Sequence, residues 1–161
     1  MTAAAPLTLE EIRALIPKDE VLDFAVQKVA RLDFTMLKRK LVLEKAFATS
    51  EACDEAEDLY RKFLALNARH IGRKLCPTGP IDTFWHAHIL DTRAYARDCE
   101  WLFGHDHFLH HFPYFGLRDD EDRADLARTF ADTVDLFIRS FGVDPTAGDT
   151  MARSCRPQNC P

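Results

Sequence analysis

The stretch AEDLYRKFLALN, Ala56 to Asn67, decides the fold class. Ala56, Leu59, Tyr60, Phe63 and Asn67 recur at three- and four-residue steps, and on a helix turning about 100° per residue they trace one stripe. Thr49 or Ser50 supplies an N-cap ahead of it, and the loop-like CPTGP, Cys76 to Pro80, marks where the helix has ended.

The same periodicity extends in both directions. Upstream, Thr8-Leu9-Glu10-Glu11 fits a capping box whose short helix is stopped by Pro17. Asp19 can cap a second helix carrying Leu22, Ala25, Val26 and Val29; after a break at Asp33 the pattern resumes with Met36, Leu37, Lys40, Leu41 and Phe47. Downstream, Pro80 suits the first turn of a helix running to about Phe103, because its missing N–H would have no partner there. The glycine-bounded segment GHDHFLHHFPYFG, Gly104 to Gly116, is broken by Pro113 and reads as an ordered aromatic loop. Asp119 or Asp120 then starts a last helix with Leu126, Phe130, Val134, Phe137 and Phe141 on its inner face and Gly142 as its stop. No long strand candidate emerges. The expectation is an all-α, single-domain compact helical bundle of about five to six helices over residues 1–142, with a flexible cysteine-containing tail over 143–161.

Composition narrows the function classes. The 161 residues, 47% hydrophobic and 29% charged, suit one folded domain, with no apolar run long enough to cross a bilayer. A formal charge of −5 argues against a broad nucleic-acid-binding surface, and Lys38-Arg39-Lys40 reads as a solvated helix face. The leader MTAAAPLTLEE does not read as a secretory signal, so a cytoplasmic location is expected. Cys53, Cys76 and Cys99, spread among helices, are expected to be reduced and buried.

The chemistry concentrates around FWHAHILDT, Phe84 to Thr92, since six of the seven histidines fall between positions 86 and 111. On a regular helix His86 and His88 point about 160° apart and do not easily share an ion, whereas a bent helix start would let both serve. His88 belongs to the aromatic and apolar face with Trp85, Tyr95 and Cys99. It is either a core histidine bonded to a hydroxyl, a carbonyl or a carboxylate such as Asp91, or the inner wall of a pocket formed with those three residues. Asp82 and His86 stand one turn apart on another side, either as a surface pair or as the start of a metal site. If the loop folds back, His110 or His111 completes two histidines and a carboxylate, a set suited to zinc or iron(II). The zinc-protease pattern, a glycine-rich phosphate loop and a nucleophile elbow are all absent from the sequence.

At these residues the chain resembles the glycine-rich domain-containing protein-like family of plants, fungi and bacteria. The resemblance rests on Pro80-Ile81-Asp82, Phe84-Trp85-His86-Ala87-His88-Ile89-Leu90, Tyr95, Asp98-Cys99, Leu102-Phe103-Gly104 and His110-His111-Phe112-Pro113-Tyr114. It spans roughly residues 20 to 142, with its specific part between 80 and 116. It implies a helical domain and carries over Asp82, Trp85, His86, His88, Tyr95, Cys99, His110 and His111, leaving His105 and His107 as additions of this sequence. The family implies no reaction, and the glycine-rich region of its longer plant members has no counterpart here.

Three functions compete: a metal-binding domain using Asp82, His86 and His110 or His111; a non-catalytic module in which the loop docks a protein or small-molecule partner; and a thiol carrier or modification substrate. The last would use Cys155 and Cys160 of the terminal CRPQNCP, whose spacing is not that of a redox Cys-x-x-Cys.

Overall fold

Short polar side chains set where the helices begin. In the computed structural model, which describes Leu15 and residues 18–147, the Asp19 carboxylate accepts the Leu22 N–H at 3.0 Å and opens α1, Glu20–Ala30. Asp33 accepts the Thr35 N–H at 2.9 Å ahead of α2, Thr35–Leu43. The Thr49 hydroxyl accepts the Ala52 N–H at 3.0 Å and caps α3, Ser50–Arg69. Pro80 lies in the first turn of α4, Gly79–Leu90. Asp119 caps α6, Asp120–Phe141, by accepting the Asp122 N–H at 2.8 Å, and Gly142 ends that helix at φ +64°.

One expected helix is two. The pattern from Pro80 to Phe103 breaks at Asp91, whose ψ of 71° leaves the helical region and whose carboxylate caps α5, Thr92–Phe103, through the Ala94 N–H at 3.3 Å. Asp91 is therefore engaged in capping and is not the partner of His88. Six helices and no strand are present among the described residues. The Thr8 capping box, Pro17, Cys155 and Cys160 lie outside the described residues.

The core is built around α3. Tyr60, Phe63, Leu64 and Leu66 are almost wholly buried, and α3 packs against α1, α2, α4 and α6. Leu22, Ala25 and Val29 meet it from α1, Ile81, Phe84 and Trp85 from α4, and Leu136 and Phe137 from α6. Burying each large apolar side chain contributes about 1.5–3 kcal/mol, so this shared stripe accounts for why the helices assemble. The stripes are narrower than periodicity alone suggests: Val26 and Met36 are exposed, and on α6 Thr133 and Leu136 are buried while Phe130 and Val134 are half-buried.

Arg61 adds a polar tie. Its guanidinium donates to the carbonyls of Val29 at 2.7 Å and Leu32 at 2.9 Å, satisfying the end of α1 and the turn that follows. Cys53, Cys76 and Cys99 are buried. No helix among the described residues is long and apolar enough to cross a membrane.

Candidate metal centre

Asp82 and His86 stand one turn apart near the start of α4, which places them on one face, and the loop after α5 brings His111 back onto that face. The His86 and His111 Nε2 atoms are 2.8 Å apart, and Asp82 Oδ1 lies 3.2 Å from His111 Nε2 and 3.5 Å from His86 Nε2. All three side chains are mostly shielded, with 11%, 22% and 15% of Asp82, His86 and His111 exposed, so the cluster opens to solvent on one side. Burial lowers the His86 pKa; Asp82 pulls it back up and His111 pushes it further down.

Three ligand atoms converging this closely compete for the protons between them. A ring nitrogen either donates one hydrogen or offers one lone pair, so His111 Nε2 cannot both accept from His86 and donate to Asp82. If both histidines carry the proton on Nε2, two N–H groups face each other at 2.8 Å; if both carry it on Nδ1, three lone pairs do. With the proton on His111 Nε2 and the His86 proton on Nδ1, one shared hydrogen serves both neighbours, whereas a cation in the middle engages all three lone pairs at once. The sizes fit as well. At a ligand distance of about 2.1 Å the three separations subtend angles of roughly 84° to 113°, spanning the octahedral and tetrahedral values. The group of Asp82, His86 and His111 could therefore hold a metal ion.

His88 serves a different purpose. It is 2% exposed, and its ring lies among Phe34, Tyr60 and Tyr95, with centroids 5.0, 5.9 and 4.9 Å away. His88 Nε2 is 3.1 Å from Asp98 Oδ2 and Nδ1 is 2.8 Å from the Tyr60 hydroxyl. A carboxylate only accepts, so Nε2 carries a proton, and in the neutral imidazole Nδ1 accepts from Tyr60. Burial drives the Tyr60 pKa well up and keeps that hydroxyl protonated as a donor. His88 is a satisfied core histidine bonded to a hydroxyl and a carboxylate, with Asp98 in the place expected for Asp91.

The remaining residues expected to line a pocket are packed into one another behind the cluster. The Trp85 indole N–H donates to the Tyr95 hydroxyl at 2.9 Å, and that hydroxyl donates to the Leu109 carbonyl. Burial raises the pKa of the Cys99 thiol, with the Leu109 backbone and the Tyr95 hydroxyl pulling it back. The Trp85 ring lies against His111 with centroids 4.8 Å apart. Neither Tyr60 nor the Leu109 backbone could be singled out from the sequence, because both act through long-range contacts that no local spacing encodes.

His110 stands outside the cluster. It is exposed, its ring rests on Phe108 at 4.9 Å, and with His105, His107, Glu100 and Asp106 it borders a cavity of about 290 Å³ between α5 and the loop. His105 pairs with Glu100 at 2.8 Å on the open surface.

No curated protein and no solved structure matches the chain. A family model does, and it takes in α2 to α5, the loop that delivers His111 and most of α6. The chain belongs to the UCP032817-like family, whose model matches residues 26–135.

Proposed function

We propose that this chain is a metal-binding protein that holds one divalent ion, zinc or iron(II), through Asp82, His86 and His111. The carrying observation is the convergence of two imidazole nitrogens and one carboxylate oxygen within 3.5 Å of each other. Two histidines and one carboxylate leave coordination positions open to water or a small molecule, as catalytic zinc and non-haem iron sites do. The resemblance to the glycine-rich domain-containing protein-like family supports the reading, since Asp82, His86 and His111 are all motif positions there. No reaction is assigned.

Elemental analysis of protein purified without an affinity tag tests the proposal. We expect about one equivalent of metal per chain, a melting temperature that falls on chelation, and loss of both effects in His86→Ala and His111→Ala. Metal-free protein that neither takes up zinc or iron(II) nor gains stability from them would overturn it.

A second reading draws on a separate observation. Phe108, Phe112 and Tyr114 are 47%, 55% and 63% exposed on one loop, which suits a surface that docks another protein. Alanine at Phe112 and Tyr114 together should then abolish partner binding while leaving metal uptake intact.

A further inference from the structure

Two histidines adjoin in the loop, yet only His111 joins Asp82 and His86. What selects it is visible along Leu109 to Phe112, ahead of the turn at 113–116, where half-buried and exposed residues alternate: Leu109 and His111 turn inward, His110 and Phe112 outward. In extended chain, neighbouring side chains point to opposite sides, so one fixed residue sets the direction of all that follow. Leu109 is that residue. Its side chain packs against the core, and its carbonyl accepts from the Tyr95 hydroxyl.

We infer that Tyr95 is a positioning residue for the metal centre: by holding the Leu109 carbonyl, its hydroxyl fixes the phase of the loop so that His111, and not His110, faces Asp82 and His86. Tyr95 is suited to this because, projecting from α5, it is held by α4 on one side and by the loop on another. Its ring meets His88 and Phe108 edge-on at 4.9 and 5.2 Å, and its oxygen accepts the Trp85 N–H at 2.9 Å. Trp85 in turn packs on His111, so one hydrogen-bonded chain touches the loop at two points on either side of His110. A phenylalanine at position 95 keeps the ring contacts and removes only the hydroxyl. The inference rests on the metal reading for its consequence, and on the hydrogen bond alone for its geometry.

The test compares full-length Tyr95→Phe with Tyr60→Phe, which also loses a buried hydroxyl but from His88 and not from the loop. Zinc affinity is read by competition with a chelating dye, and loop order by amide hydrogen exchange at the non-proline residues of 109–113 in metal-free protein. Tyr95→Phe should weaken zinc binding by about tenfold or more, the scale of one buried hydrogen bond, and Tyr60→Phe by no more than about twofold. Exchange at 109–113 should quicken in Tyr95→Phe alone. Equal weakening in both variants, or unchanged affinity in Tyr95→Phe, overturns the inference. If wild-type protein takes up no zinc, the metal reading has failed, and exchange decides on the latch: quickening supports the hold on Leu109 and unchanged rates overturn it. Should Tyr95→Phe not fold, the wild-type Tyr95 hydroxyl proton decides by NMR, a slowly exchanging signal close to the Leu109 backbone supporting the latch and a rapidly exchanging one refuting it.

Discussion

His86 and His88 are separated by one residue, yet they belong to different hydrogen-bond systems: His86 Nε2 lies 2.8 Å from a loop histidine at the surface, and His88 Nδ1 lies 2.8 Å from the buried Tyr60 hydroxyl. The helix turns the two rings away from each other, so one sequence motif supplies both a member of the candidate metal cluster and a core residue.

This division gives crossed effects on substitution. His88→Ala leaves the Tyr60 hydroxyl and the Asp98 carboxylate without their shared partner and opens a cavity, at a cost of about 3–5 kcal/mol. His86→Ala, at a partly exposed site, should cost no more than about 1 kcal/mol in metal-free protein. Metal uptake should reverse that order, with His86→Ala abolishing it. Urea unfolding of the metal-free variants beside zinc titration of each reads both effects, and a His88→Ala no less stable than His86→Ala contradicts the assignment.

The adjacent loop histidines should also separate. His111→Ala is expected to lower zinc affinity by at least about a hundredfold, through loss of one of three ligands, whereas His110→Ala should change it by no more than about twofold. Cobalt(II) absorption offers a direct check, because substituting a ligand alters the spectrum and substituting an outward-facing residue does not.

Much of this was legible in the sequence because helices advertise themselves locally. Asp19, Thr49 and Asp119 cap where their side-chain chemistry says they should, and the opposed directions of His86 and His88 follow from helical rotation alone. The break at Asp91 was hidden because the apolar pattern runs through it, and only the competition of its carboxylate for the Ala94 N–H reveals the new start. The choice between His110 and His111 was equally hidden. It depends on the phase of an irregular segment pinned by Tyr95, fourteen residues earlier in sequence, and no periodicity reports such a contact.

Gly116 closes the loop and should resist substitution. Its φ is +86°, a conformation that residues with a side chain rarely adopt, and an added Cβ would come within 2.5 Å of Leu126 Cδ2. Gly116→Ala should therefore destabilise the protein by about 1–3 kcal/mol, from backbone strain together with displacement of a buried leucine. Chemical denaturation measures this, and a loss below about 0.5 kcal/mol would mean that the backbone relaxes around the new methyl group.

Asp122 holds the same junction electrostatically and makes it sensitive to acid. Its carboxylate pairs with the Arg118 guanidinium and accepts the backbone N–H groups of Gly116 at 2.7 Å and Arg118 at 3.3 Å. The Arg118 side chain is the leading cause that holds its pKa down at about 2, against 3.8 for the free group, with the two backbone bonds adding to the effect and burial opposing it. In the unfolded chain the group ionises at the ordinary value, so the folded state favours the charged form. The stabilisation is thus fully present above about pH 4 and fades as pH falls from there toward 2. Asp122→Asn cannot titrate and cannot form the ion pair. Its melting temperature should lie below that of the wild type at pH 6, and the gap should close steadily between pH 4 and pH 2. Thermal melts of both proteins across that range provide the check, and a gap that stays constant would assign the role of Asp122 to its shape and not its charge.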